Sequence, residues 1–315
     1  MEMLKAIGIL LVGFVLLIKG ADFFVEGSST VAKKLRIPSI IVGLTIVAMG
    51  TSLPELAVST TASLAGNNAI AVSNVVGSNL FNLIVVCGAC ALFSPLAIKK
   101  DVLKKDFPLA IGCGILLLAM GALGMAISRV DGIILSVLFV TYIVVLVRQA
   151  LKARANTKDE EVSSEKMIPV WLCIIYIVGG IAAIKFGGDF VVDSAVAIAG
   201  KLGLSENLIG LTIVAVGTSL PELVTSIVAS RKNEVDMAVG NVLGSNIFNI
   251  LLILGVAGTI SPMAFIMENI IDIVILTAAS LLIYVFAWTK QKINRTEGII
   301  MLLMYASYMV YICLR

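Results

Sequence analysis

The chain has 315 residues, of which 59% are hydrophobic and 14% charged, with 23 Lys and Arg against 20 Asp and Glu, a net charge of +3 and no His. Together with a mean hydropathy of +1.08, this composition excludes a water-soluble globular fold, a disordered segment and a nucleic-acid binder, all of which need more polar or charged residues. The absence of His also removes His-based triads, HExxH zinc sites and imidazole proton relays. A membrane span takes about 20 apolar residues, so the composition predicts an all-α polytopic membrane protein whose partner is the lipid bilayer.

From the N-terminus, apolar runs separated by polar clusters predict ten spans, near residues 4–31, 39–63, 70–96, 107–126, 130–149, 168–199, 207–230, 237–260, 269–288 and 296–314. The first has Lys5 ahead of Ala6–Ile18, as a signal peptide would, but no small-x-small cleavage site follows, so it is expected to be retained. Its Lys19 and Asp22, like Lys185 and Asp189 in the sixth span, are expected to pair or snorkel within their own helices. Cys87 and Cys90 in the third span form a lone CxxC. With Cys113, Cys173 and Cys313 they make an odd count in apolar runs, which predicts small-residue helix packing rather than disulfides. Ala150–Lys166 is the longest polar stretch, and it divides the chain into 1–149, a cytoplasmic linker 150–167 and 168–315.

Charge placement predicts orientation. Lys33, Lys34, Arg36, Lys99, Lys100, Lys104, Lys105, Arg148, Lys152, Arg154, Lys158, Lys166, Arg231, Lys232, Lys290, Lys292 and Arg295 all fall in loops on one side of the ten-span arrangement. Only Lys5, Arg129, Lys201 and Arg315 fall on the other. Basic loops stay cytoplasmic, so both termini are expected outside the cell membrane.

The chain also repeats itself. An ungapped offset of 167 residues aligns Gly43–Leu83 with Gly210–Ile250, and 25 of the 41 positions are identical. GLTIVAMGTSLPEL at Gly43–Leu56 recurs as GLTIVAVGTSLPEL at Gly210–Leu223, and AVSNVVGSNLFN at Ala71–Asn82 recurs as AVGNVLGSNIFN at Ala238–Asn249. The same register pairs Asp22 with Asp189 and Ser94-Pro95 with Ser261-Pro262. Five spans separate equivalent positions, so the two five-helix repeats are expected to cross the membrane in opposite directions. In that architecture transporters place a site at the midplane, between interrupted helices.

Pro54 and Pro221 interrupt the second and seventh spans. Each removes a backbone donor and frees the carbonyl four residues earlier, at Gly50 or Gly217, which in hydrocarbon is costly unless something satisfies it. Beside them stand Glu55 and Glu222, carboxylates that cost about 2.5–3.5 kcal/mol each at the bilayer centre even on lenient scales. Thr51 and Thr218 precede the glutamates by four residues, and Ser78 and Ser245 precede Asn82 and Asn249 by four, so each pair shares a helical face. Carboxylate, hydroxyl, amide and carbonyl oxygens suit hard cations such as Ca²⁺ and Na⁺. Two carboxylates match one Ca²⁺ or two Na⁺, which is the competition an exchanger needs. A purely structural alternative makes the prolines kinks, the glutamates halves of ion pairs with Lys19 or Lys185, and the Ser and Asn side chains interhelical glue.

In these motifs the chain resembles the sodium/calcium exchanger branch of the cation/calcium exchanger superfamily, as a minimal prokaryotic member. The resemblance rests on paired G-T-S-x-P-E and G-S-N-x-F-N motifs at Gly50–Glu55 with Gly77–Asn82, and at Gly217–Glu222 with Gly244–Asn249. It implies that Glu55 and Glu222 are the central shared ligands. Thr51, Thr218, Ala48 and Ala215 would add backbone carbonyls, Ser52, Ser219, Ser78 and Ser245 side-chain oxygens, and Asn82 and Asn249 would complete the centre. Some relatives, potassium-dependent ones among them, carry Asp where this chain has Asn249, which argues against K⁺ co-transport here. The resemblance further implies alternating access, with the first and sixth spans sliding on a core of spans 2–3 and 7–8.

The expected function is Na⁺/Ca²⁺ antiport. Ca²⁺/H⁺ exchange through the same carboxylates is the nearest alternative, and a cation channel is a more distant one. No enzyme, cofactor or obligate protein partner is expected, since no His or second catalytic carboxylate stands beside a nucleophile.

Overall fold

A computed structural model describes residues 2–66, 68–156, 168–203, 213 and 215–314. In chain order the elements are α1 (Glu2–Leu35), α2 (Ser39–Thr51, with a π-helical stretch at Gly43–Val47) and α3 (Leu53–Leu64). Next comes α4, which starts at Asn68 and passes through a π-helical stretch at Phe81–Val86 to end at Phe93. Then follow β1 (Leu96–Ala97), α5 (Lys100–Lys104), α6 (Asp106–Gly124), β2 (Ala126–Ile127), α7 (Arg129–Asn156) and α8 (Val170–Lys201). The rest comprises α9 (Ala215–Gly217), α10 (Leu220–Arg231), α11 (Val235–Ile260, π-helical at Asn249–Ile253), β3 (Met263–Ala264), α12 (Met267–Lys290), β4 (Lys292–Ile293) and α13 (Arg295–Leu314).

Among the described residues, eight helices are long and apolar enough to cross a membrane, and α2 with α3, bent by 50° at their junction, makes up to nine. The first part of the expected seventh span, residues 204–212 and 214, lies outside the described residues, as does 157–167 of the linker. The spans divide by environment. In α4 and α11, 78% of the apolar window is buried, against 11–33% in the other long helices. The outer helices α1, α7 and α13 turn Val15, Val140 and Leu303 outward, as lipid-facing surfaces do.

Local chemistry sets the helix starts. Ser128 and Asp131 form a reciprocal capping box at α7: the Ser128 amide donates to the Asp131 carboxylate at 2.8 Å and the Asp131 amide to Ser128 Oγ at 3.2 Å. Asn294 and Glu297 repeat it at α13, at 2.8 and 3.0 Å. Each satisfies backbone donors that a helix start leaves free. Just before these boxes lie two short antiparallel ladders, β1 with β4 and β2 with β3, each joining one part of the chain to a distant one.

The two longest helices, α1 and α8, pack antiparallel along most of their length. Small residues allow the close approach: a Cβ on Gly187 would lie 2.7 Å from the Leu17 nitrogen and 2.8 Å from the Gly13 oxygen. Close backbone contact through small residues is how helices associate without a hydrophobic driving force. Within the helical core, α2 lies on α11, where a Cβ on Gly240 would meet the Ile40 oxygen at 2.7 Å. All five cysteines are free thiols, four of them buried. Gly88, between Cys87 and Cys90, lies against Gly298 of α13, as small-residue packing predicts.

Asp22 departs from expectation. Lys185 does pair with Asp189 within α8, at 2.6 Å. Asp22 instead bonds Lys232 at 2.6 Å, across to the turn after α10. Helical spacing predicts contacts within a helix and carries no information about a partner 210 residues away.

Gly187→Val is expected to destabilise the detergent-solubilised protein by about 1–3 kcal/mol through overpacking. Gly8→Ala, inside α1 with open space around its Cβ, is expected to keep or slightly raise the denaturant midpoint.

Candidate ion-binding site

The bend between α2 and α3 builds half of the site. Thr51 ends α2, Ser52 sits at the joint with φ −86° and ψ 10°, and Pro54 occupies the first turn of α3. There its missing N–H costs nothing, because a first turn has no acceptor for it. The break therefore comes two residues before the proline, and Thr51 and Glu55 stand on separate helices rather than on one continuous face. Ser219 repeats the geometry ahead of α10, at φ −95° and ψ 5°, with Pro221 in the first turn. Glu55 and Glu222 consequently lie in the first turns of α3 and α10, where the positive end of a helix favours a carboxylate.

A serine at such a joint ordinarily caps its own helix. Neither Ser52 nor Ser219 does so. Ser52 Oγ donates to Glu222 Oε1 at 2.8 Å, and Ser219 Oγ to Glu55 Oε1 at 3.4 Å. Each glutamate is thus held by the serine of the other bend. Ser78 Oγ of α4 adds a contact to Glu55 Oε1 at 3.4 Å, and Ser245 Oγ of α11 one to Glu222 Oε1 at 3.5 Å. Four of the expected side-chain oxygens and both carboxylates therefore converge, all of them buried.

Around this centre runs an amide lattice. Asn79 Nδ2 donates to the Asn246 carbonyl at 3.2 Å and Asn246 Nδ2 to the Asn79 carbonyl at 3.2 Å. Asn74 Nδ2 donates to Ser59 Oγ at 3.0 Å and Asn241 Nδ2 to Ser226 Oγ at 2.9 Å. None of these residues belongs to the set expected from sequence. The row of residues spaced by four that carries Ser78 and Asn82 extends back to Asn74, and that of Ser245 and Asn249 back to Asn241. Those rows are the sequence signal for them.

The remaining expected residues are placed unevenly. Thr51 is buried, and its hydroxyl donates to Asn241 Oδ1 at 3.1 Å. Thr218 Oγ1 is buried with no hydrogen-bond partner. Asn249 Nδ2 donates to Asn79 Oδ1 at 2.9 Å, whereas neither polar atom of the Asn82 side chain has a partner. The Ala48 carbonyl already accepts the Ser52 amide at 3.1 Å and lies 3.3 Å from the Thr51 hydroxyl. Ala215 opens α9, and its side chain lies outside the described residues.

Glu55 Oε2, Glu222 Oε2, Asn82 Oδ1, Asn249 Oδ1 and Thr218 Oγ1 are all buried acceptors without a hydrogen-bond partner among the described residues. Among the described residues no Lys or Arg forms an ion pair with either glutamate, and Lys185 is bonded to Asp189. The ion-pair alternative is therefore not the arrangement adopted. Nor do three or more His, Cys, Asp or Glu side chains meet in a group that could hold a metal ion among the described residues. The chemistry on offer is two carboxylates in a cage of neutral oxygens, which suits hard, weakly held cations.

The chain is 40% identical to the putative antiporter CaxA of Alkalimonas amylolytica, over 97% of this chain and 98% of that one. It is 34% identical to the sodium/calcium exchanger MaX1 of Methanosarcina acetivorans, over 96% and 97%. Its fold matches the solved sodium-calcium exchanger NCX_Mj with a TM-score of 0.83 at 32% identity, covering 98% of each chain. The family model for sodium/calcium exchanger proteins matches residues 5–148 and 172–314, and the chain belongs to that family.

Proposed function

We propose that the protein is a secondary active antiporter that exchanges Na⁺ for Ca²⁺ across the cell membrane by alternating access. The observation that carries this reading is the pair of buried carboxylates, each held through one oxygen by serines and each with a second oxygen free of any bond. Two ionised carboxylates with no basic neighbour are far too costly to bury alone. A divalent cation or two monovalent ones would neutralise them, and the two loads exclude one another.

In this reading Glu55 and Glu222 are shared by both ions. Ser52, Ser219, Ser78 and Ser245 orient them, and Asn82, Asn249 and Thr218 offer further oxygens. Thr51, Ala48 and Ala215 contribute backbone carbonyls at flanking Na⁺ positions. The protein is a transporter rather than an enzyme, and Ca²⁺ and Na⁺ are its substrates, with no resident cofactor. Supporting the sodium assignment, MaX1 is named a sodium/calcium exchanger and NCX_Mj was solved after soaks with Na⁺ and Ca²⁺.

The wider architecture follows the same logic. Residues 1–149 and 168–315 form two five-helix repeats of opposite orientation, ten spans in all, joined by the cytoplasmic linker 150–167. Contacts exchanged between equivalent residues, such as Ser52 with Glu222 and Ser219 with Glu55, support that symmetry. Both termini lie outside. Lys99 reaches Asp236 at 2.5 Å, so the basic segment after β1 and the start of α11 share one end of the molecule, as expected if the loops before α5 and α11 are both cytoplasmic.

The test is uptake of radioactive Ca²⁺ into Na⁺-loaded proteoliposomes. Uptake is expected to require an outward Na⁺ gradient. Glu55→Gln and Glu222→Gln are each expected to lower it at least about tenfold, the loss for a charge-assisted contact worth about 1.4 kcal/mol. Uptake driven as well by a proton gradient would replace Na⁺ with H⁺, and uptake without any opposing gradient would favour a channel. Asn249→Asp raises the central charge and is expected to shift preference toward divalent over monovalent cations, measured by Na⁺ competition. An unchanged preference would remove Asn249 from the ligand set.

A further inference from the structure

The α1–α8 pair lies against the rest of the molecule unevenly. On the end that carries the Lys-rich loops, α1 packs along α10, and Phe24, Val25 and Ala229 join one apolar cluster with Met237. At the rim of that contact, Lys232 Nζ bonds Asp22 Oδ1 at 2.6 Å and the Asp22 carbonyl at 3.1 Å, and reaches Glu26 Oε2 at 3.3 Å. Two residues on, the Glu234 carboxylate accepts a hydrogen bond from Ser29. One three-residue turn between α10 and α11 thus grips three residues of α1.

The opposite end has the acids without the base. By the 167-residue register Asp22 and Glu26 correspond to Asp189 and Asp193, while Lys232 corresponds to Ala65. Asp189 bonds Lys185 of its own helix. Asp193 is exposed and has no partner among the described residues. Nor does α8 pack along α3 as α1 packs along α10. The seal at one end is both apolar and ionic, and at the other end the ionic part cannot form.

We propose that Lys232 is a positioning residue that latches α1 to the core at the cytoplasmic end and so biases the transport path toward opening on the far side. The proposal rests on the exchanger reading, in which the α1–α8 pair moves against the core. With Lys232 seated, α1 covers the inner end of α10. Opening inward requires the Asp22 and Glu26 bonds to break, and closing outward forms no bond of the same kind. The equilibrium between the two states is therefore unequal even with both sides identically bathed. The bonds are half exposed, so the bias is a modest one that ion binding can override.

Ala229 of α10 is buried and shares an apolar cluster with Phe24 and Val25 of α1, so it is the probe position at the latched end. Ala229→Cys, labelled with a hydrophilic maleimide in detergent and read by peptide mass, reports opening at that end. Lys232→Ala is expected to raise labelling at position 229 about three- to tenfold. Lys232→Arg is expected to label as the parent does, and Asp22→Asn to shift labelling in the same direction as Lys232→Ala by a smaller factor, since the contacts to Glu26 and the residue-22 carbonyl remain. The double variant is expected to match Lys232→Ala, because that substitution already removes the bond to Asp22. Equal labelling in Lys232→Ala and Lys232→Arg, or additive effects of Lys232→Ala and Asp22→Asn, would overturn the latch. A parent protein that moves no Ca²⁺ in liposomes would overturn the exchanger reading instead, and it is scored separately from the labelling.

Discussion

Two carboxylates inside a bilayer with no cation from the protein itself constrain everything around them. Each ionised group carries a desolvation cost of several kcal/mol. The chain offsets part of it with helix N-termini and serine hydroxyls aimed at one oxygen of each glutamate. Compensation stops short of completeness: the second oxygen of each remains unbonded. A protein that satisfied its glutamates fully would have no reason to take up a cation, and one that satisfied them not at all would not fold around them. A transport site lies between those limits.

The bends and π-helical stretches serve that compromise. Breaking α2 from α3 at Ser52 turns a capping serine away from its own helix and toward the opposite glutamate. π-Helical stretches at Phe81–Val86 and Asn249–Ile253 fall beside Asn82 and Asn249, and such irregularities cluster at functional sites because they re-aim side chains. Tight packing surrounds them. The close α2–α11 contact occurs at Gly240, and Asn79 and Asn246 bond each other's backbone, while the two bends differ in the bond that ends the first helix, Ser52 N to Ala48 O in one and Ser219 N to Val216 O in the other.

Much of this was legible in the sequence, for a physical reason. A buried charge in a membrane is rare enough to announce itself, and its recurrence 167 residues later, with the same serines and asparagines, leaves few other readings. Eight spans, and the bent α2–α3 pair as a ninth, followed from apolar length alone among the described residues. Legibility failed where structure depends on a partner rather than a period. Helical spacing placed Thr51 and Glu55 on one face, yet the break at Ser52 separates them. It likewise confined Asp22 to its own helix, whereas the partner is Lys232. Asn79 and Asn246 were invisible as a pair, because their mutual backbone contacts exist only once α4 and α11 meet.

The two small ladders bear on how such a chain is made. β1 pairs with β4, and β2 with β3; α4 likewise meets α13 near its end. Elements synthesised early thus find their mates only after nearly the whole polypeptide has left the ribosome. Until then β1 and β2 lack the strands they pair with. Assembly of the chain is a waiting problem, and the capping box at α7, being local, is a contact that can form before those mates are made.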